Sequence, residues 1–118
     1  MRLLLPPTST TLAVAIATSN SVSLSWTLLS DFDFQTPDFD SYQIFRDTNS
    51  GVDTNDTPIA TITSTSTLIF TDTNLSPNTT FFYKLFVFDK AGLSTESNEV
   101  SATTLSAVSR LGIKVSIP

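Results

Sequence analysis

The stretch 74–92, Asn-Leu-Ser-Pro-Asn-Thr-Thr-Phe-Phe-Tyr-Lys-Leu-Phe-Val-Phe-Asp-Lys-Ala-Gly, constrains the fold most, because it reads as one β-strand with a turn at each end. Side chains along a strand alternate between faces. The odd positions Phe81, Tyr83, Leu85 and Val87 carry no charge and predict a core face. The even positions Phe82, Lys84, Phe86 and Phe88 include a lysine and predict an outward face. Three phenylalanines are an unusual load for a face turned to water, and any account of the chain has to say what they meet.

Six more strand-like runs, separated by turn residues, fit the spacing of an all-β sandwich. They cover residues 12–17, 21–28, 40–47, 59–63, 67–72 and 98–104, with the long aromatic strand at 79–89 as the sixth in order. The second run alternates cleanly, Val22, Leu24, Trp26 and Leu28 against Ser21, Ser23, Ser25 and Thr27, which places Trp26 in the core. No segment keeps a helical period, no repeat is present, and Ser and Thr dominate where a helical chain would want Ala, Glu and Lys. The 118 residues read as one domain at 6–104, with a short N-terminal tail at 1–5 and a C-terminal extension at 105–118. Within the extension, Ile113, Val115 and Ile117 alternate with Lys114 and Ser116, an eighth strand-like run beyond the sandwich.

Charge and the missing residue types narrow the function. A net charge of −5 and six scattered cations form no basic stripe, which argues against nucleic acid as a partner. With neither Cys nor His, the chain has no disulfide, thiolate nucleophile, Cys/His zinc site or ordinary base near neutral pH. No apolar run is long enough to span a bilayer, so no membrane insertion is expected. Met1-Arg-Leu-Leu-Leu5 and the later Ala-rich run loosely mimic a signal peptide, but Pro6-Pro7 and a Thr/Ser cluster interrupt it. A short tail followed by the first strand is the better reading.

Several motifs in order resemble the fibronectin type III domain, over roughly residues 6–104. Trp26 in Ser23-Leu-Ser-Trp26 matches the second-strand tryptophan of that family, and Tyr42-Gln-Ile44, running into Phe-Arg-Asp47, matches its third strand. Leu75-Ser-Pro-Asn-Thr-Thr-Phe81 matches the signature before the sixth strand, and Asp89-Lys-Ala-Gly92 with Ser94 and Ser97 matches the last turn and strand. The wording is similar to variants of bacterial or viral type, including those beside bacterial carbohydrate-active and surface proteins. One position departs: Phe81 stands where the family usually has its corner tyrosine, a loss of about 1 kcal/mol in hydrogen bonding if water satisfies the freed backbone group. The resemblance implies an immunoglobulin-like, seven-stranded antiparallel β-sandwich of a three- and a four-stranded sheet. It also implies an adhesion module, spacer or binding scaffold rather than a catalyst.

Candidate chemistry is sparse. Asp31, Asp33, Asp38 and Asp40 line a long loop, and Asp47, Asn49, Asp53 and Asp56 a polar turn with Gly51. Clustered carboxylates suit a hard cation, but Asp, Asn and Gly are also what turns need, and the turn lacks the distal glutamate of a calcium loop. No metal, cofactor or catalytic residue is expected. Asn55, Asn74 and Asn78 fit the N-glycosylation pattern, which arises easily by chance in a Ser/Thr-rich chain. Phe32, Phe34 and Phe39 in the long loop read equally as a binding tip or as a cap folded onto the core.

The outward aromatics are the strongest candidate site. In the family the third and sixth strands are neighbours, which brings Phe45 beside Phe82, Phe86 and Phe88 as one partner-binding patch, unless the C-terminal extension covers it. Two function classes follow. The first is a self-assembling structural or adhesion subunit at an extracellular, cell or virion surface, or in a filament, contacting copies of itself or neighbouring proteins. The second is an accessory spacer of a larger secreted enzyme, associated with polysaccharide.

Overall fold

The computed structural model of the chain describes residues 10–28 and 39–107. Eight strands follow in order: β1 (Leu12–Ala17), β2 (Val22–Trp26), β3 (Phe39–Asp47), β4 (Thr57–Ile62), β5 (Ile69–Asp72), β6 (Thr80–Asp89), β7 (Ser94–Glu96) and β8 (Val100–Thr103). One sheet has the order β1-β2-β5, the other β4-β3-β6-β7, with β8 also on β6. Every pairing is antiparallel. The sandwich is the one expected, with its last strand in two pieces. Asp31, Asp33 and Asp38 of the acidic loop and the strand-like run at 113–117 lie outside the described residues, while Asp40 falls in β3.

The alternation read from the sequence sets the layers. Val22, Leu24 and Trp26 of β2 meet Tyr42, Ile44, Tyr83, Leu85 and Val87 across the inner faces, all buried. Trp26 stands edge-on to Tyr42 with ring centroids 5.5 Å apart, and the Tyr42 hydroxyl donates to the Thr65 carbonyl at 3.0 Å. Phe39 packs its ring 4.9 Å from Tyr42 and half-buries itself against the core. It is therefore a core cap and not a binding tip, while Phe32 and Phe34 fall outside the described residues.

β2 and β5 are shorter than expected, and two further elements differ in kind. β4 begins at Thr57 and includes Pro58, which an edge strand tolerates because its outer N–H would have no ladder partner. The last strand was expected at 98–104, yet β7 pairs with residues 86–88 of β6 and β8 with residues 80–83. The interruption at Ser97, Asn98 and Glu99 is built by side chains. Ser97 Oγ accepts the Leu85 N–H at 2.9 Å, in place of a backbone carbonyl. Asn98 reaches the other sheet: its Oδ1 accepts the Leu12 N–H at 2.9 Å and its Nδ2 donates to the Leu12 carbonyl at 3.0 Å. That amide behaves as one residue of a strand laid on the β1 edge.

The corner before β6 holds without its usual tyrosine. Asn74 and Asn78 take left-handed backbone (φ 61° and 54°), which asparagine tolerates, and bracket the buried Leu75. Thr104, itself buried, donates its hydroxyl to the Ser76 carbonyl at 2.7 Å and accepts the Thr79 N–H at 2.9 Å. A threonine at the end of the last strand thus ties down the turn that Phe81 cannot reach.

Candidate functional site

The outer face of the larger sheet carries the aromatic set. β3 and β6 pair so that Phe45 faces Lys84, Gln43 faces Phe86, Ser41 faces Phe88 and Asp47 faces Phe82. The phenylalanines therefore meet diagonally, within reach of large rings. Phe45 and Phe86 stand edge to face with centroids 5.4 Å apart and planes at 89°, and Phe88 lies 6.4 Å from Phe86. Phe82 packs onto the same cluster. All four expected residues come together on one face.

The expectation that all four rings stand open is corrected. Phe45 is only 5% exposed and Phe86 8%. Val52, 1% exposed, packs on them from the 48–56 turn and makes a small second core outside the sandwich. The cover is thus a residue of the turn that the composition marks as polar. Phe82 and Phe88 remain half-buried at the flanks. Lys84 lies between them and bridges to Glu96 of β7, Nζ to Oε1 at 2.8 Å, so a cation and an anion border the rings.

One carboxylate holds Val52 in place. Glu99 Oε1 accepts the Val52 N–H at 2.8 Å and the Gly51 N–H at 2.9 Å, and Oε2 accepts the Ser50 hydroxyl at 2.8 Å. Gly51 has φ +95°, a backbone that points two successive N–H groups at one anion. These bonds, that to Val52 foremost, hold the Glu99 carboxyl below its ordinary range, and the Lys84 charge adds to them. Neither residue was picked out by the sequence. The available signals were a lone β-branched residue after a turn glycine and a glutamate inside a strand run, and neither shows a contact about fifty positions away.

The carboxylates of the polar turn and the Arg46–Asp72–Tyr83 set are engaged by the fold. Asp53 and Asp56 accept backbone N–H groups within their own turn, from Asn55 and Asp53 respectively, both at 2.8 Å. Among the described residues no three His, Cys, Asp or Glu converge as a metal site. Arg46 and Tyr83 are cross-strand partners on the inner face, and Asp72 approaches from the other sheet. The guanidinium contacts both Asp72 oxygens at 2.8 and 2.9 Å, and the Tyr83 hydroxyl donates to Oδ2 at 2.7 Å. Burial, then the adjacent carboxylate, pushes the Tyr83 phenol far above its ordinary range, so it stays a donor. The Arg46 guanidinium also sits 5.5 Å over the Phe81 ring. This triad ties the two sheets together at the position where the corner hydroxyl is missing.

Known proteins share this architecture. The fibronectin type III domain model matches residues 5–103. No curated protein matches the chain. The chicken CNTN1 FN1–FN3 domains superpose with a TM-score of 0.69 at 20% identity, over 86% of this chain and 33% of that one. The fibronectin type III domain of human fibronectin type III domain containing protein 3 gives 0.68 at 19% identity, covering 98% of this chain and 97% of that one. The β-1,2-glucanase from Parabacteroides distasonis gives 0.64 at 22% identity, over 84% of this chain and 13% of the enzyme. At these identities the likeness carries the fold alone. Among the described residues no helix is long and apolar enough to cross a membrane.

Proposed function

The chain belongs to the fibronectin type III family, and from that premise we propose that it is a non-catalytic contact module whose working surface is the aromatic face of the larger sheet, with a second copy of the chain as partner. Domains of this family are often structural or spacer modules and typically face the outside of the cell. A subunit of an extracellular, virion or filament surface is the setting this reading favours.

The observation that carries it is the incomplete burial of Phe82 and Phe88 beside the closed Phe45–Phe86 pair. Each ring still to be covered is worth up to about 1.5–3 kcal/mol. Lys84 and Glu96 at the border suit a two-fold contact, in which residue i meets j and j meets i. A patch bordered by both signs can pair with itself. The sequence alternation of Ile113, Val115 and Ile117 makes the C-terminal extension a second candidate for that contact.

Light scattering after size exclusion tests the reading on three proteins: the parent, a Phe82→Ser/Phe88→Ser variant and a chain ending after Thr104. The parent is expected to gain mass as concentration rises and the double variant to remain monomeric. A truncated chain that also stays monomeric assigns the extension a share of the contact. If all three remain monomers at high concentration, self-association fails. The accessory-spacer reading then takes its place, as the occurrence of a similar sandwich within the Parabacteroides distasonis β-1,2-glucanase favours.

A further inference from the structure

We infer that Glu99 is the latch of a lid: while ionised it holds the 48–56 turn over the inner pair of rings, and its loss by protonation or substitution bares Phe45 and Phe86. The inference rests on the aromatic face being the contact surface and concerns how much of that face is on offer.

Three observations converge on the latch. Val52 is 1% exposed and packs in one buried cluster with Phe45 and Phe86, outside the main core. It sits there at the end of a turn whose described ties to the rest of the fold run through one carboxylate, by way of Ser50, Gly51 and Val52. That carboxylate stands in the break of the last strand, where Ser97 and Asn98 anchor the backbone to β6 and β1, so the latch is fixed at its base. Gly51, at φ +95° with open space where a Cβ would lie, leaves the turn a ready pivot.

The sign of the pH effect follows from the bonds. Three donors favour the ionised form, so the closed turn lowers the Glu99 pKa. The stabilisation is complete above the ordinary glutamate value and is lost as pH falls through the lowered one. Lys84 reinforces the ionised state, and it is itself paired with Glu96 of β7 at 2.8 Å. Asp47, Asp53 and Asp56 belong to the turn and its root, and their carboxylates accept local N–H groups. Substitution at neutral pH isolates the latch.

The test uses methyl and amide NMR of the full chain at low concentration, near pH 7, on the parent, Glu99→Ala and Glu99→Gln. In the parent the Val52 methyl signals are expected to carry the ring shifts of the two phenylalanines, and the Gly51 and Val52 amides to exchange slowly. In Glu99→Ala the methyl shifts are expected to relax towards random-coil values and amide protection to fall about tenfold or more, since charge-assisted bonds are the strong ones. Glu99→Gln should fall between the two. Unchanged Leu24 and Val87 methyl signals show that the sandwich is intact. Should Glu99→Ala disturb these signals too, Val52→Ser is the second variant. It keeps the carboxylate, and the expected result is retained protection at Gly51 with Phe45 and Phe86 newly open to a hydrophobic dye. Val52 methyl shifts that stay at parent values in Glu99→Ala overturn the latch, as does a Val52→Ser protein that binds no more dye than the parent. Light scattering of the same proteins at raised concentration separates the two readings: an opened turn without mass gain leaves the latch standing and removes self-association.

Discussion

Phe86 and Phe88 lie two positions apart on the same face of β6, yet they should respond differently to the same change. Phe86 is 8% exposed in one buried cluster with Phe45 and Val52, whereas Phe88 is half-buried against that cluster. Phe86→Ser is expected to lower stability by about 3–5 kcal/mol, the cost of truncating a buried aromatic, and Phe88→Ser by far less. Denaturant midpoints measure both; equal losses would mean that the rings are buried alike. Trp26→Ala should also cost about 3–5 kcal/mol, since its indole fills the core against Tyr42. A midpoint unchanged from the parent would contradict that packing. Core residues such as Trp26 and Tyr83 were legible because alternation is a local pattern. Val52 and Glu99 were not, because their roles come from a contact between a turn and a strand far apart in sequence, which no local period encodes.

Elements were legible in the same measure as their alternation. β3 and β6 were found where expected, while β2 keeps its period only to Trp26: the strand stops there, and Leu28, expected on the core face, is exposed. β7, only Ser94–Glu96, has no apolar pattern of its own and owes its existence to pairing with β6. The break that follows it was invisible for a related reason: Ser97, Asn98 and Glu99 read as ordinary polar residues, and each serves a different neighbour. Ser97 completes β6, Asn98 completes β1, and Glu99 closes the 48–56 turn. Asn98→Ala leaves both polar groups of Leu12 without that partner and should cost about 1–3 kcal/mol. It should also speed exchange of the Leu12 amide while the β6 amides stay protected. If Leu12 exchange is unchanged, the amide clasp does not hold the β1 edge.

Across the whole sandwich the two outer faces are unequal. On the smaller sheet Ile16 and Ile69 are well exposed, 59% and 71%, but the register surrounds them with Ala13, Ser23, Ser25 and Thr71, and they form no shared cluster. The larger sheet gathers its rings into one cluster with a charged border. That asymmetry is the basis for assigning partner contact to the larger sheet. Its presence was readable from three outward phenylalanines on one strand, and its partial closure by Val52 was not.

The most direct test follows the aromatic ring signals of the parent protein by NMR as its concentration is raised. Contact between copies through this face predicts that Phe82 and Phe88 ring signals shift with concentration, while the Trp26 indole and the Ile16 and Ile69 methyls do not. Signals independent of concentration throughout, or shifts confined to Ile16 and Ile69, would contradict the account.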